Sequence, residues 1–240
     1  MTPVSLSDIW VYLSASPLMG LTLTLFVYAL SYRLHELAGY NPLANPVALS
    51  IVLIGTLLWA TGTPYGTYFE GAQFVHFLLG PATVSLAVPL YRQLAKVKQS
   101  AFAIGVSLLC GSLTAIFTAV GMAWLFGGGP EILATLAPKS ITAPVAMAVA
   151  EKIGGLPSLT AVVVIITGIF GAMFGTFVLN AVGVKDWAAR GFAMGTASHG
   201  IGTARALQVN EVAGAFAGLA MGLNALATAI LLPVLWAIVF

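Results

Sequence analysis

The sequence predicts an all-α, polytopic integral membrane protein, and three observations carry that reading. Hydrophobic residues make up 60% of the 240-residue chain, charged residues only 7%, and mean hydropathy is +1.02. Residues 9–32, 37–69, 101–130, 157–184 and 212–240 hold no Asp, Glu, Lys or Arg. A helix needs roughly 20 apolar residues to cross the hydrocarbon core, and lipid admits only helices or closed barrels. Long continuous apolar runs, rather than short alternating ones, select helices.

Taken in order, the apolar runs give helices over 17–34, 45–62, 71–92, 101–126, 132–153, 157–182, 187–207 and 210–239. About seven or eight membrane helices result, discontinuous or re-entrant ones included, in one membrane domain over 1–240. Trp10 and Tyr12 suit an interfacial helix or the start of the first span. N-P-L-A-N-P (41–46) and G-T-P-Y-G (62–66) are turns, because proline fixes its own φ and restricts the residue before it. G-G-G-P-E (127–131) ends one helix and starts the next, with Pro130 near the first helical position.

An internal repeat is expected. P-A-T-V-S-L-A-V-P (81–89) and P-K-S-I-T-A-P-V-A (138–146) share a proline-and-hydroxyl pattern offset by 57 residues. The offset continues through Gly111/Gly168, Ala115/Ala172 and Phe117/Phe174, giving units 71–126 and 128–182. T-A-S-H-G-I-G-T (196–203) is a looser third copy. Paired interrupted helices of this kind characterise secondary transporters. Chance similarity among apolar, hydroxyl-rich segments is the alternative.

Two stretches carry the polar chemistry. In L-A-P-K-S-I-T-A-P-V-A-M-A-V (136–149), Pro144 lacks an N–H and disfavours an unbroken helix. A break at Ser140–Ala143 would leave a half-helix N-terminus beside Lys139, Ser140 and Thr142, a combination that attracts a small carboxylate. The alternative is a proline kink with Lys139 snorkelling to an interface. In G-F-A-M-G-T-A-S-H-G-I-G-T-A-R-A (191–206), four glycines weaken the helix while Thr196, Ser198, His199, Gly200, Thr203 and Arg205 concentrate polarity. Intramembrane His and Arg usually face a cavity or a partner, although close packing alone explains the glycines. Thr83 and Ser85, in the first copy of the repeat, join Pro144 and these residues as candidate substrate contacts. Asn180 and Asn224 suit interhelical hydrogen bonds.

Other function classes find little support. The net charge of +2 is small and scattered, so no nucleic-acid partner is expected. One cysteine, Cys110, supplies neither disulfide nor metal pair. Adjacent Ser198 and His199 point about 100° apart on a helix, so catalysis is not expected. Charge placement leaves topology in conflict. Arg33, Arg92, Lys96 and Lys98 mark cytoplasmic loops. Full crossing by every later helix would put Lys185 and Arg190 outside, whereas a re-entrant 132–153 returns them.

The two polar stretches resemble the signature segments of the LrgB/CidB family of bacterial membrane proteins. The N-P-L region and P-A-T-V-S-L-A-V-P-L-Y are similar too, so the resemblance covers nearly the whole chain and is nearest to the shorter proteobacterial inner-membrane members. It implies a multi-pass protein of the bacterial inner membrane. One branch of the family is described as regulating murein hydrolase export and autolysis beside a small holin-like partner of the LrgA/CidA type. Another includes the membrane half of the plastidic glycolate/glycerate transporter, and pyruvate uptake has been tied to bacterial members. The expectation is therefore a secondary transporter of small carboxylates, with the autolysis-regulating membrane protein as the alternative. No cofactor is expected, proton or sodium coupling is left open, His199 is the candidate proton site, and a homodimer is expected by analogy.

Overall fold

A computed structural model describes residues 17–78, 81, 84, 85 and 87–239. The interfacial helix expected near Trp10, and Thr83, lie outside the described residues. Packing divides the chain into two compact units, Met1–Ser85 and Leu86–Phe240.

In the first unit, α1 (Pro17–Leu37) packs against both α2 (Pro46–Thr61) and α3 (Tyr65–Phe77). Asn45 caps α2 by accepting from the amides of Val47 and Ala48, and Gly62 ends it in the left-handed region at φ 64°. Only glycine adopts that conformation without penalty. The range expected as one helix over 71–92 holds α3, which starts earlier, just after Pro64, and ends at Phe77, and the helix Ala87–Arg92.

The second unit runs α4 (Ala87–Arg92), α5 (Leu94–Gln99), α6 (Ala101–Leu125), α7 (Pro130–Leu136), α8 (Ala143–Lys152), α9 (Pro157–Ala181), α10 (Trp187–Val209) and α11 (Glu211–Val239). Among the described helices, Ala101–Leu125, Pro157–Ala181 and Glu211–Ile238 are long and apolar enough to cross a membrane. The segments over 132–153, for which re-entry is one expectation, and 187–207, where an interruption is expected, both fold back on themselves.

The first fold-back pairs α7 with α8. The amide of Leu156 donates to Thr135 Oγ1 at 2.9 Å, and Thr160 Oγ1 donates to the Thr135 carbonyl at 3.0 Å. A continuous helix would hold residues 135 and 156 about 31 Å apart. The second lies within α10, whose helical path breaks at His199 with φ 40° and ψ −132°. Met194 and Ala206 share one core cluster with Ala213 and Ala217, although a straight helix would separate the first two by about 18 Å.

These hairpins approach from opposite ends of α6. The α7–α8 pair follows its C-terminal end through Gly127–Gly129. The α10 hairpin starts at its N-terminal end, where Asp186 pairs with Lys96 at 3.6 Å and Glu211 with Arg92 at 3.1 Å. Small residues let α10 and α11 pack backbone to backbone. A methyl group added to Gly191 or Gly195 would collide with the main chain of Ala213 or Ala217, as in close helix pairs within membranes.

Candidate anion-binding cleft

The tip of the first hairpin, residues 137–142, is non-helical. Pro138 and Pro144 contribute: neither offers an amide for the hydrogen bond that would continue the helix, and Pro144 sits in the first turn of α8, where that amide is not needed. Thr142 takes the extended N-cap conformation (φ −61°, ψ 139°). Lys139 is half-buried there, and its Nζ donates to the oxygen of buried Ser140 at 3.2 Å. Three ion pairs occur among the described residues, and Lys139 belongs to none of them.

The tip of the second hairpin is His199. A non-glycine residue at φ 40° and ψ −132° is strained by roughly 1–3 kcal/mol and persists only where its surroundings hold it. Several contacts do so. The imidazole Nε2 lies 2.8 Å from the Val164 carbonyl of α9. Gly168 leaves room for the ring, and Gly171 for the Ser198 side chain. Thr203 Oγ1 donates to the His199 carbonyl at 2.7 Å.

Asn224 ties the two tips together from the middle of α11. Its Nδ2 donates to the Thr196 carbonyl at 2.9 Å and reaches the Ser140 carbonyl at 3.4 Å. Ser112 of α6 donates to its Oδ1 at 2.5 Å. The side chain is 1% exposed, so these bonds replace all its contacts with water. Asn224 thus forms the interhelical bonds its residue type suggests, whereas Asn180 is exposed at the end of α9.

Beside the tips a cleft of about 850 Å³ runs along α6. Lys139, Ser140 and Thr196 line it together. Its α6 wall carries Ser100, Ser107 and Thr114 at seven-residue spacing, with Thr118 one turn further. Sequence reasoning missed this hydroxyl stripe. The signal was present as a heptad of small hydroxyls inside a charge-free run. Phe192 and Phe216 supply apolar wall, and the Lys96–Asp186 pair stands at one end. There Asp186 also caps α10 by accepting from the Ala189 amide at 2.9 Å. That hydrogen bond, opposed by slight burial and helped by Lys96, holds its carboxyl below the usual value of 3.8.

The other candidate residues are placed elsewhere. Ser198 and His199 face α9, and Thr203 contacts Met221 of α11 at 3.9 Å. Gly200 and Pro144 are exposed. Arg205 is carried back by the reversal and lines a separate small cleft with Trp187 and Arg190. Ser85 is exposed in the other unit. Among the described residues, no group of His, Cys, Asp and Glu is arranged to hold a metal ion.

What this arrangement can do chemically is hold one small anion. A cation outside the described ion pairs stands beside the Ser140 hydroxyl, in a cleft that adds the α6 hydroxyls, apolar wall and, at one end, the Lys96–Asp186 pair.

Comparison with known proteins gives a consistent assignment. A holin-like protein CidB of Staphylococcus epidermidis is 34% identical over 93% of this chain and 96% of its own length. The holin-like protein CidB of Staphylococcus aureus is 32% identical, covering 91% and 95%. An uncharacterised protein of Haemophilus influenzae is 33% identical, covering 91% and 94%. No solved structure matches. The description of the LrgB-like family matches residues 24–238, and the chain belongs to that family of membrane proteins.

Proposed function

We propose that this chain is the large membrane component of a holin-like system, working with a small membrane partner of the LrgA/CidA type. The support is the name borne by the staphylococcal relatives, which match over nearly their full length. That name favours this reading over the carboxylate carrier that the sequence puts first.

The carrier stands as a second reading because one observation favours it: Lys139, unpaired among the described charges, at the tip of a hairpin lining a hydroxyl-rich cleft. Burying a lone cation is costly unless an anion joins it. In this reading small carboxylates of the pyruvate, glycolate and glycerate class bind at Lys139 and cross without chemical change. On the same reading the hairpin-plus-span units over 130–181 and 187–239 make an inverted repeat, which pairs the second copy with the looser third. Arg92, Lys96, Lys98, Lys185 and Arg190 then share one end, which the positive-inside bias makes cytoplasmic. The re-entrant alternative removes the charge conflict.

Reconstitution of the full chain in liposomes separates the readings. A holin-like component releases an unrelated entrapped dye or potassium, more so with its small partner present. A carrier gives saturable uptake of labelled pyruvate, glycolate or glycerate with the dye retained. Retention of every solute, with and without the partner, overturns both. Light scattering on the purified chain tests the proposed homodimer.

A further inference from the structure

Lys139 lines two clefts. The first runs from the Lys96–Asp186 pair along α6 to Thr118. A second, of about 430 Å³, begins at Ala119, one residue beyond Thr118 on α6, and passes Met122, Phe126 and Gly128. Lys139 is the residue common to both. Because α6 has 25 residues, its ends lie about 36 Å apart, enough to span a hydrocarbon core of roughly 30 Å. The two clefts therefore approach Lys139 from opposite faces.

The geometry points to a single permeation path for small monocarboxylates along α6, with the Lys139 ammonium as its central station and barrier. Three features set the substrate class. One fixed charge matches a monoanion, and a dianion would leave one charge without a counterpart in a poorly solvated setting. The hydroxyls of Ser107 and Thr114 lie on the cleft face of α6, where they can bond a carboxylate or a neighbouring oxygen. The second cleft is lined by Ala119, Met122 and Phe126 beyond the lysine, so it offers an anion no second resting place of comparable strength. Both tips are fixed through Asn224, which holds the lysine-bearing turn at this central position.

This inference rests on the carrier reading, and its test uses the protein's sole cysteine, Cys110, which is exposed in the first cleft. A membrane-impermeant thiol reagent is applied to spheroplasts and to inverted vesicles carrying the full chain. Native Cys110 should react in inverted vesicles alone. Met122→Cys in a Cys110→Ala background should react in spheroplasts alone. Pyruvate at about three times its Kd should slow Cys110 modification about fourfold by mass action. Succinate and neutral lactamide at the same concentration should not. Lys139→Gln should abolish protection while leaving the unprotected rate of Cys110 unchanged, which shows the cleft intact.

Modification of both positions from one side, or equal pyruvate protection in Lys139→Gln, overturns the path. Saturable pyruvate uptake alongside same-side labelling would sink the path and keep the carrier. Opposed labelling with pyruvate protection but no uptake would sink the carrier and keep the binding path.

Discussion

Replacing Asn224 with Leu probes the junction where both hairpin tips meet α11. The new side chain keeps the heavy-atom branching and loses both polar atoms, and its bulkier methyl groups add an overpacking cost to the lost hydrogen bonds. Two bonds of good length, from Ser112 at 2.5 Å and to the Thr196 carbonyl at 2.9 Å, disappear with two long ones, to the Ser140 carbonyl and from the Thr228 hydroxyl. Interhelical bonds within membranes average about 0.6 kcal/mol and reach roughly 1.7. The larger loss comes from what is left behind. The Ser112 hydroxyl, 1% exposed, and the Thr196 carbonyl would both be desolvated without these partners, at about 1–3 kcal/mol each. Partial relaxation brings the expected total to about 2–4 kcal/mol. Ser112→Ala should cost about 1–2 kcal/mol, since it removes one bond and leaves the buried Asn224 Oδ1 with only the 3.5 Å approach of Thr228. The double variant should be more stable than the two single losses predict, by roughly 1 kcal/mol. Reversible unfolding in mild detergent, followed by helical signal, reads all three. An Asn224→Leu variant within about 0.5 kcal/mol of the native chain, the range of inert surface changes, would refute the view that this side chain ties the tips together.

Other outcomes follow from the same packing. His199→Gly should be about 1 kcal/mol more stable than His199→Ala, reversing the usual helix preference, because alanine keeps the strained φ of 40°; the ordinary order in thermal unfolding would count against a reversal there. Gly195→Ala should cost about 1–3 kcal/mol, since the added methyl meets the Ala217 backbone, while Gly105→Ala, with open space around it, should be neutral or slightly stabilising. Asp186→Ala should lose about 1 kcal/mol of cap stabilisation, and Asp186→Asn most of that less, because the amide still accepts from Ala189. The sign with pH is fixed by the depressed carboxyl: its contribution is complete above 3.8 and fades as pH falls through the lower folded value. Acid titration of stability should therefore be shallower in Asp186→Ala, and an unchanged slope would remove that role.

Local chemistry made some of this legible and left the rest dark. The break before Ala143 was readable because Pro144 has no amide to give, whatever its surroundings. The weakness of 191–206 was readable from its glycines, but not its direction: one residue's φ decides between a kink and a reversal. That reversal explains why Arg205 stands away from Lys139. Sequence proximity grouped Arg205 with Thr196, and the turn at His199 carried it back toward Trp187. The hydroxyl stripe of α6 passed as ordinary span because serine and threonine satisfy themselves on helix carbonyls, as Thr118 does on Thr114. Asn224 draws together residues 84 and 112 positions away, a convergence that no local pattern contains.

The glycine–alanine seam between the first arm of α10 and α11 limits how the molecule can rearrange. With main chains touching along Gly191–Ala213 and Gly195–Ala217, neither helix can slide or roll without collision, so the two behave as one slab. Across the cleft, α6 instead offers short hydroxyl side chains that can exchange bonding partners at little expense. Any rocking that opens or closes the passage should therefore have its hinge on the α6 side, with the slab riding as a rigid passenger.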